Sequence, residues 1–194
     1  MWRVASVVAL SVGLAVPALA RDTAKWGQVG GWQIMVDRTV GNGCFASQVF
    51  EHGTAVRIGF DINEQAIYLL FGNDDWQSLE VGKIYPMRIV FDDGVAVYDG
   101  EMQGAALGDE STVFLSHHDI SPDFVKDFME RNVLQVFYQD REIARLSLAN
   151  TYKAVAEILN CQKELGFGTK AQPGASSDPF ARPAPVRTRD PFSR

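Results

Sequence analysis

Cysteine and histidine are scarce in this chain: two cysteines and three histidines among 194 residues. Cys44 and Cys161 lie too far apart for a Cys-x-x-Cys redox pair. With only His52, His117 and His118 available, a zinc site would have to recruit carboxylates as well. After residue 20 no apolar stretch is long enough to cross a bilayer, so a soluble mature protein is expected. No Gly-x-Ser-x-Gly elbow, phosphate-cradling Gly-x-x-x-x-Gly-Lys or dinucleotide fingerprint occurs, which removes the commonest signatures of hydrolases, nucleotidases and dehydrogenases. Asp61-Ile62-Asn63-Glu64 lacks the glycine and the terminal glutamate of a calcium loop. Nothing in the sequence calls for a cofactor or a metal.

What is present begins at the N-terminus. Arg3 precedes an apolar run from Val4 to Val16, and Ala18-Leu19-Ala20 then offers the small-x-small pattern of a signal peptidase site. No lipobox cysteine sits beside it. Residues 1–20 therefore read as a cleaved secretory signal, and the mature protein as periplasmic or secreted. In that oxidising space Cys44 and Cys161 are expected to form one structural disulfide. Such a bridge closes most of the domain into a single loop, an entropic gain of roughly 4–5 kcal/mol.

The net charge is −6, and it is unevenly spread. Acids prevail in the body, 21–167, which argues against nucleic acid as a partner. From Gly168 onward Lys170, Arg182, Arg187, Arg189 and Arg194 outnumber Asp178 and Asp190. The tail, 168–194, is rich in Gly, Ser, Pro, Ala and Arg, and too poor in apolar residues to offset the entropy of ordering it, so disorder is expected there. It holds two copies of Asp-Pro-Phe-x-Arg, centred on Phe180 and Phe192, which read either as a bivalent linear motif or as chance similarity in a solvated tail.

Alternation of apolar and polar residues dominates Gly31 to Leu148 and predicts strands near 32–36, 44–50, 55–60, 66–71, 85–91, 95–98 and 112–115, with a hairpin at 133–138 and 142–148. Asp92-Asp93-Gly94 is the strongest hairpin signal. Gln103 to Glu110, rich in Gly and Ala, reads as irregular. Gln135, Gln139, Arg141 and Arg145 are expected to point outward. Ser121-Pro122-Asp123 starts one helix, and Asn150 is the expected cap of a second whose buried stripe reads Tyr152, Val155, Ala156 and Leu159. The fold class is mainly β: an antiparallel sandwich or curved sheet with two short helices and one disulfide.

Few groups are candidates for chemistry. His117-His118-Asp119 is the nearest thing to a hydrolytic site, but neighbours on an extended segment face opposite ways, and the pair is expected in the loop before the Ser121 helix. The paired acids Asp74-Asp75, Asp92-Asp93 and Asp109-Glu110 fall where turns are expected. Trp76 follows Asn73-Asp74-Asp75, so it reads as either an exposed contact residue or a ring folded over the sheet edge. Trp76, Asp74, Asp75, Tyr98, Phe180 and Phe192 form the candidate binding set.

The signal, Gly31-Trp32 opening a strand, Cys44 starting the next, and a hairpin feeding Leu146-Ser147-Leu148-Ala149-Asn150, a short helix and Cys161 together resemble small exported alphaproteobacterial proteins of the invasion-associated locus B family. The resemblance covers roughly Gly31 to Cys161. It departs from the family at Val36-Asp37, where members tend to carry a further cysteine. It implies a non-enzymatic periplasmic or surface-associated protein, linked to host interaction, and carries over no catalytic residue. The expected function is a binding or accessory protein whose partner is another envelope protein. The alternative is an inhibitor or immunity-type protein that blocks an envelope hydrolase.

Overall fold

Among the described residues the chain runs β1 (Thr23–Val29), β2 (Trp32–Asp37), β3 (Asn42–Val49), β4 (Ala55–Asp61), β5 (Ala66–Gly72), β6 (Ile84–Phe91), β7 (Ala96–Ala106), β8 (Val113–His118), α1 (Pro122–Glu130), β9 (Val133–Tyr138), β10 (Arg141–Ser147) and α2 (Thr151–Glu164). The computed structural model describes residues 23–165 except 39, 41 and 109–111. The expected signal 1–20, the tail 168–194 with Phe180 and Phe192, and the Asp109-Glu110 pair lie outside the described residues.

Every strand pairing is antiparallel, in one sheet of order β1-β2-β3-β4-β5-β8-β7-β6-β9-β10. The first five strands form a meander. β6, β7 and β8 then return so that β8 lies beside β5, a Greek-key turn. The β5–β6 connection must therefore cross the ends of β8 and β7, and that crossing segment forms the site described below.

The sheet is curled, because side chains from distant strands meet in one core. Trp32 and Ile34 of β2, Ile58 of β4, Phe91 of β6, Leu134 of β9 and Leu146 of β10 belong to a single buried cluster. Both helices lie in the curl. Phe128 of α1 meets the Trp32 ring edge-on at 5.8 Å, and Phe124 meets Phe91 at 5.3 Å. The Trp32 indole donates to the Ala149 carbonyl at 3.3 Å, so the second strand is tied to the segment after the last one. Cys44 on β3 and Cys161 on α2 are disulfide-bonded with Cα atoms 6.1 Å apart, inside the usual range. Beside the bridge the buried Cys44 N–H donates to Gln162 Oε1 at 2.9 Å.

The outer face carries a smaller cluster, Phe45, Tyr68, Leu70, Leu107 and Phe114. At its edge lies Asp37, fully buried. Its carboxylate accepts from the Tyr68 hydroxyl at 2.8 Å, Arg57 Nη1 at 3.1 Å and the Val40 N–H at 3.0 Å. The Arg57 guanidinium also lies 4.4 Å from the centre of the Phe45 ring. Burial, and next the Asp37 charge, push the Tyr68 hydroxyl well above the usual tyrosine range.

The Asp92-Asp93-Gly94 turn falls where the sequence predicts it, between β6 and β7. Asp92, Asp93 and Gly94 all adopt positive φ, and Gln139-Asp140 forms a two-residue turn of the same hand between the paired Tyr138 and Arg141. Ser121 caps α1, its hydroxyl accepting from the Phe124 N–H at 3.2 Å.

Several expectations are corrected. Thr23–Val29 is a strand that alternation did not reveal, because its residues are half-buried at best. Gln103 to Glu110 is not irregular throughout: β7 continues to Ala106 and β8 extends to His118. Asn150 does not cap α2 with its side chain. It takes a left-handed backbone instead, and the Thr151 hydroxyl donates to the Leu148 carbonyl. The buried stripe of α2 is Thr151, Ala154, Val155, Ile158 and Cys161, leaving Tyr152 and Leu159 exposed. Gln135 is buried and donates to Glu142 Oε2 at 2.7 Å.

Candidate functional site

The crossing segment, residues 73–83, is held by its own polar groups. Asn73 Nδ2 donates to the His52 carbonyl at 2.8 Å and to Thr54 Oγ1 at 3.1 Å. Its Oδ1 accepts the Asp75 N–H at 2.9 Å, and its carbonyl accepts the Trp76 N–H at 2.9 Å. Asp74 accepts from the Thr112 hydroxyl at 2.8 Å. Farther along, the Glu80 N–H donates to the Tyr85 hydroxyl at 2.8 Å. Gly82 and Gly104 are joined by a backbone bond of 2.7 Å, and the Gly104 N–H donates to the Lys83 carbonyl at 2.8 Å. A Cβ on Gly104 would lie 2.1 Å from the Glu80 carbonyl oxygen, so only glycine lets the segment lie this close to β7. The Gly that made this stretch read as irregular is what seats the crossing loop.

Beneath the loop lies a cavity of about 350 Å³. Trp76 and Leu79 of the loop and Tyr85, Met87, Leu115 and Tyr138 of the sheet line it, with the exposed Asp75, Lys83 and Arg141 also on its walls. The Tyr85 and Tyr138 rings meet edge-on at 5.9 Å. Trp76 is half-buried and packs on the core, and it also borders a more polar groove with Asn73, Asp74 and Thr112. It covers the sheet end, as one reading of the sequence has it, and it also walls a cavity. Asp74 and Asp75 are exposed on the same loop.

Tyr98 lies elsewhere. It packs in an aromatic group, 5.0 Å from Phe124 and 5.8 Å from Phe91, and its hydroxyl donates to Asp127 Oδ2 at 2.6 Å. Asp127 also accepts from Arg131 at 3.0 Å. Burial, then this hydrogen bond, push the Tyr98 hydroxyl up to about 12. The same bond, followed by those from Arg131, holds the Asp127 carboxyl below its ordinary value. Tyr98 thus fastens β7 to α1. Its folded pKa lies above the unfolded value of about 10, so this group leaves stability unchanged below that pH and erodes it as pH climbs toward 12. Asp127 works in the opposite sense: its contribution is present above the unfolded carboxylate pKa and disappears as pH falls through the lowered folded value. Tyr98→Phe is expected to flatten both limbs of a plot of denaturation midpoint against pH. Limbs as steep as in the wild type would remove Tyr98 from this role.

His117 and His118 are the last residues of β8, not part of the following loop, and they diverge. His117 Nδ1 lies 2.7 Å from the Glu101 carbonyl oxygen, and the residue lines a cavity of about 190 Å³ with Leu69, Ile89 and Phe124. His118 faces the other way, its ring 5.9 Å from that of Tyr68 and its Nδ1 3.9 Å from Asp61. Asp119 turns the chain with φ 67°. Among the described residues no group of three or more His, Cys, Asp or Glu is placed to hold a metal ion, and no helix is long and apolar enough to cross a membrane.

Sequence reasoning placed Trp76, Asp74 and Asp75 on one loop but missed Tyr85, Met87, Tyr138 and Arg141. For Tyr85, Met87 and Tyr138 the signal was alternation alone, which does not say what lies opposite a residue, and Arg141 read as outward, which its exposure bears out. Comparison with family models, with curated proteins and with solved structures finds no match.

Proposed function

We propose that this is a non-enzymatic binding or accessory protein of the bacterial envelope, exported through residues 1–20 and acting on another envelope protein through the loop around Trp76. The observation that carries the reading is the aromatic cavity under a crossing loop fixed in place by Asn73, Thr112, Tyr85 and Gly104. Pre-formed loops of this kind bind without paying again for their own ordering. A half-buried tryptophan flanked by tyrosines is the composition of interface hot spots. The disulfide fits an oxidising compartment. The resemblance to the invasion-associated locus B family agrees with a role outside the cytosol and with host interaction as its setting.

The test is affinity capture from an envelope extract with the mature chain, with Trp76→Ala, and with Val97→Ala as a surface control on β7. A partner retained by the wild type and by Val97→Ala, and weakened about tenfold or more by Trp76→Ala, is the expected result; a hot-spot loss of 2 kcal/mol corresponds to about thirtyfold. Capture that is indifferent to Trp76 would sink the reading.

The exposed pair Asp74-Asp75 on the same rigid loop favours one second reading, an inhibitor whose partner is an envelope hydrolase. In that case Asp74→Asn/Asp75→Asn abolishes inhibition of the captured enzyme.

A further inference from the structure

The two Asp-Pro-Phe-x-Arg repeats at Phe180 and Phe192 lie outside the described residues, and the cavity under Trp76 has a chemistry that matches them. Its lining is apolar and aromatic: Trp76 and Leu79 of the loop above, Tyr85, Met87 and Tyr138 of the sheet below. Of the three charged residues on its exposed walls, Arg141 and Asp75 have no ion-pair partner among the described residues. The third charged wall residue, Lys83, is already paired with Glu80. Each repeat presents an acid two residues before an aromatic ring and an arginine two residues after it.

We propose that the cavity is a receptor for the chain's own tail, a phenylalanine of one repeat entering the aromatic floor with its aspartate toward Arg141 and its arginine toward Asp75. The proposal deepens the reading of the Trp76 loop as the binding surface and rests on it. At about 350 Å³ the cavity sits at the small end of ligand pockets, roughly 300–1,000 Å³, which suits a single ring and its neighbours. Reach is not limiting. At roughly 3.3 Å per residue the chain spans up to ~50 Å from Leu165 to Phe180 and ~90 Å to Phe192, and the path halfway around a domain about 40 Å across is about 60 Å. The charge balance favours the same pairing, since the body is acidic and the tail basic.

Attachment makes a weak contact sufficient. A tethered segment sees its site at an effective concentration of ~1 mM, so a peptide affinity far too weak to matter in dilute solution still fills the cavity in cis. The Phe192 repeat reaches any point on the domain surface, and the Phe180 repeat reaches the cavity where the path is under about 50 Å, so the test removes both phenylalanines. The tail then competes with any external partner, and cutting it away exposes the Trp76 surface.

The experiment uses the full mature chain and a Phe180→Ala/Phe192→Ala variant, which leaves the domain core untouched. The readout is the indole N–H resonance of Trp76, assigned with Trp76→Phe. The expected result is a shifted resonance in the variant, the same shift in Arg141→Glu, and return toward the wild-type position when a synthetic peptide of residues 176–194 is added to the Phe180→Ala/Phe192→Ala chain. That peptide should bind the variant about tenfold more tightly than the wild type, whose own tail competes. Identical spectra of wild type and variant, with no response to peptide, overturn the proposal. A shift that fades on dilution of the wild type assigns the occupant to a second copy and overturns it too. If the spectra are identical while partner capture still depends on Trp76, the tail contact fails and the binding reading stands. If capture is also indifferent to Trp76, both fail.

Discussion

Breaking the Cys44–Cys161 bridge is expected to lower the unfolding free energy of the domain by about 5 kcal/mol, the chain-entropy value for a closed loop of this size. The loop spans 117 positions, nearly the whole domain. A domain of this size is stable by about 5–15 kcal/mol, so the loss is a third of the total or more. It corresponds to a fall in Tm of roughly 10–20 °C. The measurement is chemical denaturation of the wild type with and without reductant, beside Cys44→Ser/Cys161→Ser. The Cys44 N–H to Gln162 bond and the apolar stripe of α2 remain after reduction, so the reduced chain is expected to fold in the cold and unfold early on warming. A reduced protein that melts with the oxidised one would show that packing alone holds α2 against β3.

Asp37→Ala carries the other large effect. The carboxylate is fully buried and organises three donors: the Tyr68 hydroxyl, the Arg57 guanidinium and the Val40 N–H. Removing it leaves the Arg57 charge, whose side chain is only 12% exposed, without that carboxylate. Breaking a buried pair from one side costs about 3–5 kcal/mol. Replacing both charges by apolar groups is a different experiment, since the desolvation cost of the pair vanishes with it. Asp37→Val/Arg57→Met should therefore regain most of the stability that Asp37→Ala loses. Denaturant midpoints of the single and double variants decide the matter. A loss below about 1 kcal/mol in Asp37→Ala would mean that water reaches the guanidinium and replaces the carboxylate.

Much of the sheet was legible because its period is short. Alternation located β2 to β6 and the β9–β10 hairpin within a residue or two, and Asp92-Asp93-Gly94 marked the end of β6. Two kinds of information were not local. The face of α2 depends on which neighbours it meets: Tyr152 and Leu159 can be buried as readily as Val155, and contact with α1, β1, β2 and β3 decides which are covered. The cavity depends on strand order. Nothing in the sequence announces that β8 returns to β5, and without that return Trp76 has no reason to lie over Tyr85 and Tyr138. Gln135 shows the limit of polarity as a guide. It reads as outward, yet it is buried, with its amide nitrogen donating to Glu142.

The ties between the chain's two ends also set an order of events in time. Trp32 needs the Ala149 carbonyl, Cys44 needs Cys161, and the Cys44 N–H needs Gln162. A chain made or threaded from its N-terminus presents β2 and β3 long before any of these partners arrives. Through that interval their inward faces stay uncovered, the situation in which nascent chains call on chaperones. Oxidation cannot be completed early either, since no other cysteine is available for Cys44 to form an intramolecular bridge with. The disulfide is therefore a late event: it has to wait for Cys161, and docking of α2 on β3 is what brings the two Cα atoms to the 6.1 Å the bridge needs.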